Sequence, residues 1–124
     1  MQVRPGGPVI VIEPLAAGSF FRCRRPVDDE TEVRAQAIAA IKALVEAGGA
    51  RLLGLKRWDR VNRFDGLDGF IDYLLAVDPG RAALVKERAA ALTRSWRGNI
   101  DVVGGKAVLV QPVICWVLAR DARQ

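Results

Sequence analysis

Val9-Ile10-Val11-Ile12 is the stretch that most constrains what this chain can fold into. Four consecutive β-branched apolar residues show no alternation of polar and apolar positions. A strand of that kind is covered on both faces, as strands are inside an α/β sheet. Pro5-Gly6-Gly7 precedes it and supplies a turn, because glycine reaches positive φ at little cost. Glu13 ends the run. Such a strand belongs in the middle of a sheet, yet nothing upstream of it in the sequence can pair with it. The sequence reads as though it opens halfway through a domain.

The pattern downstream predicts alternating helices and strands. Ala16 to Pro26 reads as a loop carrying Gly18 and the pair Phe20-Phe21. Asp28, Asp29, Glu30 and Glu32 then gather acid at the start of a helix from about Thr31 to Ala47, where it suits the positive end of the dipole. Asp29 with Glu32 resembles a capping box. Ile38, Ile41 and Val45 recur on one face of this helix, with Leu44 beside them. Arg51 to Trp58 is the next predicted strand, weakened by Gly54. Strand, helix and strand make a right-handed βαβ unit, which sets the second strand parallel to the first, adjacent or not.

Leu67, Phe70, Ile71, Leu74 and Leu75 form one stripe at helical spacing after Asp65-Gly66. Asp78-Pro79 closes that helix and caps another, whose buried face is read as Val85, Ala89, Leu92 and Trp96. Lys106 to Leu118 is a long β-branched run, and Pro112 within it predicts a bulge or break. Ile100 to Val103, with Gly104-Gly105, is read as the other arm of a short hairpin. The tail from Ala119 to Gln124 is expected to fray. Residues 1–124 are taken as a single partial domain with no internal repeat.

Composition narrows the chemistry. The 124 residues are 51% hydrophobic, which argues against disorder. The net charge of +5 comes mainly from arginine, 15 of the 19 cations, a bias explained by gene composition. Nucleic-acid binding is not expected: Arg22, Arg24 and Arg25 cluster, but Asp28, Asp29 and Glu30 follow and offset their field. There is no histidine, which removes the commonest general base and metal ligand. Cys23 and Cys115 make no disulfide framework. Cys115 reads as a small core residue; Cys23 lies beside three arginines that could lower its pKa, but with no base nearby a reactive thiol is not expected. No stretch approaches the roughly 20 apolar residues that span a bilayer, so a cytoplasmic protein without a membrane partner is expected.

The glycine pairs at 6–7, 48–49 and 104–105 match neither a dinucleotide fingerprint nor a phosphate loop. The acidic cluster Asp28-Asp29-Glu30 is read as capping rather than as a metal site. Glu13 stands at the carboxyl end of a buried strand, where open α/β sheets place ligand-binding groups; the competing role is bonding to nearby loop amides. Trp58 and Asp59 end the second strand at the same edge if the strands are parallel.

Val3-Arg-Pro-Gly-Gly7, Val9 to Ile12 and Glu13-Pro14 together resemble the fifth-strand region of class I S-adenosylmethionine-dependent methyltransferases. Glu13-Pro-Leu15 with Gly18, Arg25-Pro-Val-Asp-Asp-Glu-Thr31, Val33-Arg34-Ala35, Trp58-Asp-Arg60 with Phe64, Val77-Asp-Pro79 with Arg81, and Gln111-Pro112 with Trp116-Val-Leu118 resemble later landmarks of one bacterial, small-molecule-type subgroup. The resemblance covers nearly the whole chain and corresponds to the C-terminal half of the family, from the fifth strand onward. It implies a partial Rossmann-like α/β sheet of about three main strands with three helices. The last strand, Lys106 to Leu118, would run antiparallel between the other two. It also implies that Glu13, Phe20, Phe21, Trp58 and Asp59 lie on the substrate side of the cleft.

The family's glycine-rich loop, its ribose-binding acid and its fourth-strand region are absent from this sequence. The resemblance therefore implies a part of a methyltransferase for an unidentified small-molecule acceptor, using S-adenosylmethionine in the complete enzyme. The chain alone is expected to bind no cofactor, to contribute no catalytic residue and to be inactive. Its expected partner is an N-terminal methyltransferase half at the first strand. The alternative is a non-catalytic binding module or subunit that pairs its exposed first strand with another protein.

Overall fold

The structure is a computed structural model, and it describes residues 7–120. The elements in chain order are β1 (Pro8–Pro14), α1 (Gly18–Arg24), α2 (Thr31–Glu46), β2 (Ala50–Phe64), α3 (Leu67–Val77), a 3-10 turn (Pro79–Arg81), α4 (Ala82–Glu87), α5 (Ala89–Asn99), β3 (Asp101–Val103) and β4 (Lys106–Arg120). The class is mixed α/β. The sheet is four-stranded and antiparallel, in the order β1–β4–β2, with β3 paired to β4. The expected turn at Pro5-Gly6 and residues 121–124 lie outside the described residues; Ala119, where fraying was expected to begin, is instead buried in β4 opposite Pro8.

Cα proximity divides the chain into two compact units. The first comprises 7–16, 31–59 and 112–120; the second comprises 17–30 and 60–111. In the first unit β1 pairs antiparallel with β4 over seven residues, from Pro8 opposite Ala119 to Pro14 opposite Val113. The alternation of a strand puts Val9 and Val11 on one face of β1 and Ile10 and Ile12 on the other. Val11 packs with Leu15, Ile38, Ile41, Val45 and Ala50 against the buried Ile114, Trp116 and Leu118. The helical stripe read from Ile38, Ile41 and Val45 is thus the buried face of α2. Leu44 beside it stays 43% exposed. Gly54 of β2 lies against Val117 of β4, at 3.9 Å for an added Cβ.

The second unit has its own core. Phe20, Cys23, Val27, Phe70, Leu74, Val85, Leu92, Trp96, Ala107 and Leu109 are buried together, and Phe64, Leu67, Ile71 and Leu75 pack around them. All five positions of the α3 stripe contribute. Phe64, Phe70 and Trp96 form an aromatic group, with Phe64–Phe70 centroids 5.5 Å apart and edge-to-face, a geometry that favours the ring quadrupoles. Asp78 caps the 3-10 turn, its Oδ1 accepting from Gly80 N at 3.0 Å.

Four expectations need correction. Ala16–Pro26 is mostly helix, because Phe20, Phe21 and Cys23 bury one side of α1. The helix after Pro79 is broken at Arg88 (φ −101°, ψ 19°), so Ala89 faces solvent while Val85, Leu92 and Trp96 are buried. β2 continues to Phe64 rather than ending at Trp58. β4 passes through Pro112 without a break: the β1 ladder ends at Val113, and Pro112 contributes its carbonyl to Leu15 N at 3.0 Å. Among the described residues there are thus four strands, three long and β3 short, and five α-helices where three were expected.

The hairpin of β3 and β4 forms as read, Asp101 opposite Val108 and Val103 opposite Lys106. Gly104 (φ 58°) and Gly105 (φ 78°) fill its turn. Positive φ at both central positions is the requirement of the tight hairpin turn whose twist matches its strands. No helix among the described residues is long and apolar enough to cross a membrane.

Candidate functional site

Glu13 is the penultimate residue of β1 and stands opposite Ile114 of β4. Strand alternation places it on the same face as Val11. The backbone just after it is fixed twice. Leu15 N donates to Pro112 O at 3.0 Å, and Leu15 O accepts from Arg34 Nη1 at 3.0 Å. Arg34 is only 6% exposed, so α2 sends a buried guanidinium to the carboxyl end of β1. The Glu13 carboxylate is half-buried and makes no hydrogen bond or ion pair to any described residue.

Trp58 and Asp59 lie mid-strand in β2, not at a strand end, because β2 runs five residues beyond Asp59. Trp58 is 40% exposed. Asp59 is exposed and, like Glu13, has no bonded partner among the described residues. β4 separates β1 from β2 in the sheet, and no described bond joins Glu13 to Trp58 or Asp59.

Phe20 and Phe21 are buried, 5% and 3% exposed, and Phe20 belongs to the core of the second unit. Phe20 meets Phe70 and Tyr73 edge-to-face, each at 5.9 Å between centroids. The Arg24 guanidinium lies 5.8 Å from its ring centre, a cation–π distance. Both phenylalanines leave little surface exposed, and they form the packed side of α1.

The acidic run after α1 is an ion-pair centre. Asp28 Oδ2 accepts from Arg24 and, at 2.7 Å, from Arg81 Nη2; Arg24 also reaches Glu30 Oε1 at 3.3 Å. Arg24, Arg81 and Asp28 are each about one-fifth exposed or less, so these pairs are screened less than surface pairs. Arg81 lies 53 residues from Asp28, a separation that hides the contact from any local reading. Among the described residues no group of three or more Cys, Asp and Glu side chains is placed to hold a metal ion.

Cys23 is fully buried, and its Sγ donates to Ser95 O at 3.6 Å. Burial pushes the thiol up from 9.0 to about 11, against a smaller downward pull from the Arg22 guanidinium. Desolvation outweighs the arginine, and the thiol is inert at neutral pH.

Each unit carries a cleft among the described residues. The first unit has an apolar groove of about 320 Å³ lined by Val9, Val11, Ile41, Leu44, Leu118 and Arg120, among others. The second unit has an open cleft of about 470 Å³ lined by Arg22, Arg25, Pro26, Asp29, Arg88, Ala91 and Ser95. None of Glu13, Phe20, Phe21, Trp58 or Asp59 lines either one. The described lining of the apolar groove holds Gly49 and Arg120 among aliphatic side chains, and no carboxylate.

No protein-family model matches the chain, and no curated protein matches it.

Proposed function

We propose that this chain is the acceptor-side, C-terminal part of a class I S-adenosylmethionine-dependent methyltransferase and that it acts only with a partner segment holding the cofactor. The observation that carries this reading is the sheet order. A crossover helix, α2, links β1 to β2, and the long antiparallel β4 is inserted between them. That arrangement supports the one implied by the resemblance of Val9–Pro14 and its downstream landmarks. The unpartnered, half-buried Glu13 then serves as the polar contact for the methyl acceptor, a small molecule. Trp58 and Asp59, adjacent and mid-strand in β2, point to opposite faces of the sheet, so this reading assigns them no contact. No step of methyl transfer is assigned to this chain alone, because transfer needs the sulfonium and the nucleophile held in line.

A second reading has its own observation. β1 has β4 as its one neighbour in the described sheet, and Ile10 and Ile12 on it are 57% and 47% exposed. An apolar edge strand with exposed isoleucines invites strand addition from another chain. In this reading the chain is a non-catalytic subunit.

Native co-purification separates the two. The methyltransferase reading expects the captured polypeptide to carry a glycine-rich strand–loop–helix for the nucleoside. Capture of a protein without such a loop, at β1, supports the subunit reading and contradicts the first.

A further inference from the structure

The basic cleft of the second unit has no role in the reading above. Its sequence signal, the cluster Arg22, Arg24 and Arg25, is offset on paper by Asp28, Asp29 and Glu30. The structure distributes those charges differently. Asp28 is committed to Arg24 and Arg81, and Glu30 reaches Arg24. Of the three acids only Asp29 lines the cleft, which also gathers Arg22, Arg25 and, from the break between α4 and α5, Arg88. The lining therefore carries three guanidiniums and one carboxylate.

The guanidiniums are presented rather than consumed. Arg22 donates from Nε to Asn99 Oδ1 at 2.7 Å, and Arg25 donates from Nε to Asp29 Oδ2 at 3.3 Å. Each keeps its two terminal amino groups free of bonds to described residues. The Arg88 side chain makes no bond to any described residue. A planar guanidinium with both terminal nitrogens free is the fork that matches phosphate oxygens. The floor is fixed: Ser95 Oγ donates to Arg22 O at 2.6 Å, Cys23 Sγ to Ser95 O, and Asn99 Nδ2 to Ser95 O at 2.7 Å. The first two bonds hold α1 against α5, and Asn99 in turn orients the Arg22 guanidinium. Ala91, one turn from both Arg88 and Ser95 on α5, keeps the cleft open.

We propose that this cleft binds a small ligand through a pair of adjacent phosphates. The excess of two positive charges in the lining suits a diphosphate better than a single anion. A nucleic acid fits less well, because the lining has no aromatic on which a base would stack. This inference does not rest on the methyltransferase reading.

The test is calorimetric titration of the full chain with inorganic pyrophosphate at low salt, with phosphate and a single-stranded oligonucleotide as separate arms. Saturable pyrophosphate binding is expected, at least tenfold tighter than phosphate. Arg88→Ser should weaken it at least tenfold without changing the melting temperature, since the Arg88 side chain has no bonded partner among the described residues. Ala91→Leu should block it without changing any charge. Absence of saturable pyrophosphate binding overturns the proposal, as does binding that survives both substitutions. Equal affinity for phosphate removes the two-phosphate claim. Tighter binding of the oligonucleotide through the same arginines assigns the cleft to nucleic acid instead.

Discussion

Burial and pairing decide what individual side chains do here. Cys23 shows this most simply. Because its folded pKa is raised, the unfolded chain loses the proton first as pH rises, and stability falls with pH. The contribution is intact below pH 9.0 and is lost as pH rises to about 11. Denaturant midpoints of the wild type should decline across that window, and those of Cys23→Ala should decline less. Thiol reagents at pH 7.5 should leave Cys23 unmodified until the protein unfolds. The charged residues divide in the same way. Arg81→Ala removes one of the two donors to the mostly buried Asp28 and should cost about 1–3 kcal/mol in urea unfolding. Lys106→Ala, which breaks a pair with the exposed Asp65, should change stability by less than about 1 kcal/mol. Arg34 and Arg81 were invisible as structural residues in the sequence. Their partners are a backbone carbonyl 19 residues away and a carboxylate 53 residues away, and no local periodicity encodes such contacts.

Elements followed the sequence wherever one strong signal governed them. The β3–β4 hairpin is such a case, since only glycine tolerates two successive positive φ values cheaply. Gly105→Val should destabilise the protein by about 1–2 kcal/mol, and thermal melting checks it. Leu92, fully buried on α5, should cost about 2–5 kcal/mol when cut to alanine; the exposed Leu44 should cost far less. The same stripe logic that exposed α3 so clearly missed α1. Phe20-Phe21 amid glycine and arginine has no helical period to read, and it is the second unit's core that makes those seven residues helical. The break at Arg88 was missed for the opposite reason: the apolar spacing from Val85 to Trp96 looks continuous, while the backbone resets between α4 and α5. Of the proposed site, the place of Glu13 near the end of an unbroken apolar strand was legible in the sequence. Trp58 and Asp59 were misplaced because β2 carries on through polar residues.

At the scale of the whole molecule, the sheet is what connects sequence to function. The order β1–β4–β2 leaves β1 at an edge of the described sheet, although its four β-branched residues are those of an interior strand. A partner strand at that edge, with helices over Ile10 and Ile12, would give β1 the surroundings its sequence fits. The most direct measurement is calorimetric titration with S-adenosylmethionine, first of this chain and then of this chain produced together with any in-frame coding sequence upstream of Met1. The account predicts no binding by the chain alone and saturable binding once a segment with a glycine-rich strand–loop–helix is supplied. Saturable binding by the chain alone, or none by the supplemented protein, would contradict it.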